Sequence, residues 1–107
     1  MNGRNTVKSK RSKACDISRA VKEAVWERDN HRCILCGNPN AMPNAHYLSR
    51  SQGGLGIEQN IVTLCLDCHR RLDQTSERAN LIIAVGHYLE LKYPGFRDED
   101  RVYKKYK

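Results

Sequence analysis

The apolar positions of this chain fall into short groups separated by polar stretches. Ile17, Val21, Ala24 and Val25 recur at helical spacing behind Asp16 and Ser18, either of which can cap a helix. The pattern predicts an amphipathic helix that lays one face on the core and ends at Asn30. His31–Leu35 then reads as a short strand, Asn38–Asn44 with Pro39 and Pro43 as a loop, and Ala45–Leu48 as strand again. Ser51–Gly56, SQGGLG, is a flexible loop without the Gly-Lys-Ser/Thr ending of a phosphate-binding loop, which excludes that nucleotide site. Ile61–Leu64 predicts a further strand, and a basic helical turn carrying Arg70 and Arg71 follows Cys68. Ser76 is placed to cap a second long helix reaching about Lys92. Its stripe is Leu81, Ile82, Val85 and Leu89, with Tyr88 a candidate at its edge, and Pro94-Gly95 stops it. Gly86 inside it either weakens the helix or allows a close approach, and His87 reads as a surface or rim residue. The elements predict one small α+β domain.

Charge changes this picture at the ends. Of the formal +7, residues 1–13 hold +5 (Arg4, Lys8, Lys10, Arg11, Lys13) and residues 96–107 hold +2, while 14–95 are balanced. Residues 1–14 therefore read as a basic disordered arm, 15–95 as the domain, and 96–107 as a basic tail. Tyr103 and Tyr106 in that tail can stack on bases or drape over the domain. Basic ends suit a polyanion such as DNA or RNA; the plainer alternative is a solvated, solubilising surface. The basic N-terminus has no apolar stretch behind it, and the longest strictly apolar run is Leu81–Val85. A cytoplasmic protein with no membrane partner is expected.

With 39% hydrophobic and 7% aromatic residues the core is thin, so a cross-link would matter to stability. Cys33/Cys36 and Cys65/Cys68 provide one: two Cys-x-x-Cys turns suit a single tetrahedral zinc. Redox or disulfide chemistry is the rival. A redox pair needs only one such turn, on a βαβ pattern that is missing, and a reducing compartment disfavours disulfides. Cys15 is the odd thiol, left over once the two pairs complete four-coordination.

The order Cys-x-x-Cys, His46, Asn60, Cys-x-x-Cys-His69 resembles the HNH endonuclease family in its four-cysteine, zinc-bearing form, of phage or bacterial type. The likeness covers about Val25 to Asp73 and rests on WERDNHRCILCG, AHYLSRSQGG and QNIVTLCLDCHRRLD. It implies a ββα-metal (His-Me finger) core, flanked by helices, with structural zinc on Cys33, Cys36, Cys65 and Cys68 joining the two turns. It also implies metal-dependent hydrolysis of DNA phosphodiester bonds, by nicking or double-strand cleavage. His46 matches the base that activates water, Asn60 the amide that bridges the loop and orients that base, and His69 the last ligand of a catalytic Mg²⁺ or Mn²⁺. The match departs at Ala45, where many members carry an Asp or His ligand. Asp73, one turn beyond His69, is then the second ligand candidate, and Ala45→Asp is expected to restore the usual one. Arg50, Arg70, Arg71, Lys8, Lys10, Arg11 and Lys13 are candidate DNA contacts, with a solvated role the alternative for the three central arginines. Protein partners in a phage or bacterial DNA-processing complex fit the same picture. The competing function is a catalytically weak or inactive zinc-stapled DNA-binding module.

Overall fold

The computed structural model describes residues 9–74 and 76–104, Gln74 through its backbone only. Two antiparallel strands, β1 (Ala41–His46) and β2 (Ile61–Cys65), run directly into helix α3 (Leu66–Gln74), which gives the ββα unit. Before it come α1 (Lys10–Cys15) and α2 (Arg19–Arg28); after it come α4 (Arg78–Lys92) and a 3₁₀ turn at Asp98–Arg101. This is a small α+β fold, as the apolar pattern predicts.

Residues 10–14, expected within a disordered arm, are helical instead. Ser9 Oγ accepts from Ser12 N–H at 3.1 Å, and the end of α1 docks through Ala14 O, which accepts from Gly56 N–H at 3.0 Å. Residues 1–8, with Lys8, lie outside the described residues. Ser18 caps α2 by accepting from Val21 N–H, and Val25 of α2 is fully buried.

His31–Leu35 is not a strand. Asn30 and His31 take left-handed φ values of 58° and 59°, folding the chain into turns that bring Cys33 beneath β2. Strand β1 begins earlier than expected and contains Pro43. A bulge between Met42 and Ala45 accommodates it, since proline has no N–H for the ladder. Helix α3 likewise starts before Cys68 rather than after it, and the N-cap position of α4 falls on Glu77 rather than Ser76, with no capping hydrogen bond from its side chain. Gly86 serves close packing: a Cβ there would stand 2.8 Å from the Tyr47 hydroxyl.

The core joins Ala45, Val62 and Leu64 of the sheet to Leu72 of α3 and Val85 and Leu89 of α4, with Cys33, Cys65 and Cys68 in the same cluster. The C-terminal tail drapes over the domain. Arg101 is 4% exposed and donates to Gln59 O at 2.6 Å and Asp98 Oδ1 at 2.7 Å. Tyr103 N–H donates to Gly53 O, and Tyr106 lies outside the described residues. No helix among the described residues is long and apolar enough to cross a membrane.

A buried ionic knot ties α2 to β2 and α4. Asp29, 3% exposed, accepts from Arg28 Nε and Nη2 at 2.7 and 3.0 Å. It also accepts from Thr63 N–H at 2.9 Å and the Tyr88 hydroxyl at 2.5 Å. Burial and the Asp29 hydrogen bond both hold the Tyr88 phenol far above its ordinary pKa. Asp29→Ala leaves the Arg28 guanidinium buried without its counter-charge, which is expected to cost about 3–5 kcal/mol. The shift in the urea unfolding midpoint measures it.

Candidate metal centre and active site

The four paired cysteines converge. Their sulfurs all lie within 4.8 Å of one another, and Cys36 Sγ stands 3.6 Å from Cys65 Sγ. A tetrahedron with 2.3 Å metal–sulfur bonds has edges of about 3.8 Å. The thiols therefore fit one tetrahedral ion, with Cys36 on the exposed side and the other three in the core. Cys33 is buried, which raises a thiol's pKa, but hydrogen bonds from the backbone of Cys65, Cys36 and Leu35 outweigh this and bring it down to about 7. Cys68 is pushed up, by burial first and then by its thiol neighbours. Cys15 is buried elsewhere, before α2.

Beside this centre a cleft of about 800 Å³ opens between the end of β1 and the outer face of α3. His46, His69, Asp73 and Arg50 line it, together with Lys22, Asn44 and Arg78, which the sequence did not mark. His69 and Asp73 stand one turn apart on α3, with His69 Nε2 3.4 Å from Asp73 Oδ2. Because Cys68 is held in the metal centre, its neighbour His69 has a fixed starting point.

The His46 ring is oriented by the N-terminal segment. Its Nε2 lies 2.9 Å from the carbonyl oxygen of Cys15. A carbonyl only accepts, so Nε2 carries the proton and Nδ1 keeps its lone pair. Burial holds His46 below its ordinary pKa; the Cys15 carbonyl opposes this, and the positive field of Arg50 adds to it. The same carbonyl accepts from Arg50 Nη1 at 2.8 Å, while Arg50 Nη2 pairs with Asp16 Oδ1 at 2.9 Å.

Asn60 is fully buried and does not line the cleft. Its Oδ1 accepts from Leu48 N–H, and its Nδ2 donates to Leu48 O and Leu55 O. The amide thus closes the loop that follows His46. Arg70 is exposed. Arg71 is engaged by Glu77 and faces Asp67 at 3.9 Å. Lys10 and Lys13 are exposed on α1, whereas Arg11 donates to Ser51 O at 2.9 Å and so fastens α1 to the loop.

Ala45 corrects one expectation. It is fully buried among Val62 and Leu64, facing the core rather than the cleft. An aspartate at this position would bury its charge instead of meeting a metal.

Two comparisons bear on this arrangement. A family model described as HNH endonuclease matches residues 33–75, which span both cysteine pairs, His46, Asn60, His69 and Asp73. The chain is also 33% identical over 54 residues to Anaredoxin of Nostoc sp. (strain PCC 7120 / SAG 25.82 / UTEX 2576), across 50% of this chain and 71% of that protein. With the ββα unit, the four-thiol centre and these matches together, the chain belongs to the HNH endonuclease family.

Proposed function

We propose that this chain is a metal-dependent endonuclease that hydrolyses DNA phosphodiester bonds in the cleft between β1 and α3, with zinc as the structural ion of the four thiols. The observation that carries the proposal is the His46 ring: it lines the cleft, and Nε2 is tied to the Cys15 carbonyl, so Nδ1 is the free base. In this scheme Nδ1 takes a proton from the attacking water. His69 and Asp73 would hold a divalent cation such as Mg²⁺ or Mn²⁺, which would supply Lewis-acid stabilisation of the leaving oxygen. Arg50, fixed by Asp16, meets the phosphate, and Lys22 and Arg78 add positive charge at the rim. Asn60 acts through the loop it closes, as a positioning residue. Arg70 is better placed to reach DNA than Arg71, whose guanidinium is engaged by Glu77.

The test is supercoiled plasmid incubated with the zinc-loaded protein, with Mg²⁺, with Mn²⁺ and with neither. Cation-dependent nicking or linearisation is expected. Plasmid that is bound yet stays intact under every cation leaves a zinc-stapled DNA-binding module, the reading that the core-facing Ala45 favours.

DNA contact by α1 has its own signature. Each phosphate contact adds about 0.9 to the slope of log affinity against log salt. Lys10→Ala with Lys13→Ala is therefore expected to flatten that slope by about 2, read by fluorescence anisotropy. An unchanged slope means that α1 stays clear of the backbone.

A further inference from the structure

Asn44 presents a polar atom that the fold leaves unanswered. Its Oδ1 is shut away from solvent and has no hydrogen-bond partner among the described residues. An acceptor left in that state costs about 1–3 kcal/mol and calls for an explanation. Asn44 lies in the β1 bulge, two residues before His46, and lines the same cleft as His46, His69 and Asp73. Bulges beside functional sites commonly re-aim a side chain.

The chemistry narrows what can answer it. Oδ1 is an acceptor, so a phosphate oxygen, itself an acceptor, cannot pair with it; a cation or an N–H or O–H donor can. Two cationic side chains of the cleft already have acceptors, Arg50 on Cys15 O and Asp16, and Arg78 Nη1 on Leu72 O at 3.1 Å. An amide oxygen is a hard ligand suited to Mg²⁺ or Mn²⁺. The His69–Asp73 pair of the same cleft fits as well: adjacent ligands on an octahedral ion with bonds of about 2.1 Å stand about 3.0 Å apart. His69 Nε2 and Asp73 Oδ2 are 3.4 Å apart.

We infer that Asn44 Oδ1 is the third protein ligand of the divalent cation, completing a His69–Asp73–Asn44 set. This rests on the nuclease reading, and it places the missing oxygen one residue earlier than the position occupied by Ala45. With one carboxylate, one imidazole and one neutral amide, the set carries a single negative charge. It therefore holds a divalent ion loosely and leaves its remaining positions to water and substrate phosphate.

Mn²⁺ is titrated into the full-length, zinc-loaded chain, and bound ion is read by electron paramagnetic resonance. Asn44→Ala is expected to weaken Mn²⁺ binding by a factor of about 10 to 100, the scale seen when groups that tune a metal site are removed. Asn44→Asp is expected to tighten binding and to enlarge the rise in melting temperature that Mn²⁺ produces, a gain that a misfolded variant cannot mimic. If His69→Ala and Asp73→Ala weaken binding while both Asn44 variants match wild type, the ligand assignment of Asn44 falls and the nuclease reading stands. If wild type binds no Mn²⁺, or none of the three positions affects binding, the cation site falls along with it.

Discussion

His46→Ala is expected to slow plasmid cleavage by about 10²- to 10⁴-fold, the range for loss of a positioned general base. Zinc content and cooperative folding should survive, with the melting temperature lowered only by the loss of the Cys15 contact, because His46 belongs neither to the cysteine centre nor to the core cluster. The pH profile supplies a second, independent readout. A general base works in its neutral form, and the pKa of His46 lies below the ordinary 6.5, chiefly through burial. The rate should therefore rise with pH on the acid side and level off before neutrality. The linked stability has the same sign. A ring that the fold prefers neutral stabilises the native state above pH 6.5, and this is lost as pH falls through the lower folded-state value. A variant that cuts as fast as wild type would remove His46 from the chemistry and leave the fold assignment untouched.

Cys68→Ser should have the larger structural effect. Cys68 is 2% exposed, at the junction of β2, α3 and the core, and its N–H faces Cys65 Sγ at 3.4 Å. Structural zinc in small folds contributes about 10–16 kcal/mol of apparent binding free energy, comparable to or above a whole domain's stability of about 5–15 kcal/mol. Loss of one thiolate is therefore expected to release the ion and abolish cooperative unfolding, as chelation of the wild-type ion should. Elemental analysis together with circular dichroism checks both. A variant that melts cooperatively without metal would show that the core holds unaided.

What could be read from the sequence was local. Ligand spacing is set by turn geometry, so Cys33, Cys36, Cys65 and Cys68 announce their centre, and the i, i+4 relation puts His69 beside Asp73. Ser18 marks the start of α2, because a cap is a short-range hydrogen bond. What escaped was long-range or carried by backbone. Asp29 meets Thr63 and Tyr88 only after the chain has folded, and nothing in RDNH foretells that knot. Pro43 argued for a loop because the bulge that admits it depends on pairing with β2. Ile34 and Leu35 resembled a strand because they are apolar, yet they pack beside the metal centre from a turn. The orientation of His46 was hidden most completely. Its partner is a main-chain carbonyl, an atom every residue possesses, so no side chain at position 15 could have advertised it.

That carbonyl gives α1 a role out of proportion to its size. Six residues cannot sustain a helix in water, so α1 persists only while docked. Among the described residues it is docked by the buried Cys15 and by hydrogen bonds of Arg11 to Ser51, Ala14 to Gly56, and Cys15 to His46 and Arg50. When α1 lifts, the imidazole loses the constraint on its tautomer and Arg50 loses an anchor in the same event. If His46 is the base proposed above, the population able to act is the population with α1 seated, and each 1.4 kcal/mol taken from docking lowers the seated-to-open ratio about tenfold. Amide exchange at the docking N–H of Gly56 should track the observed rate across α1 variants, making the N-terminal helix a dial on activity rather than a tether.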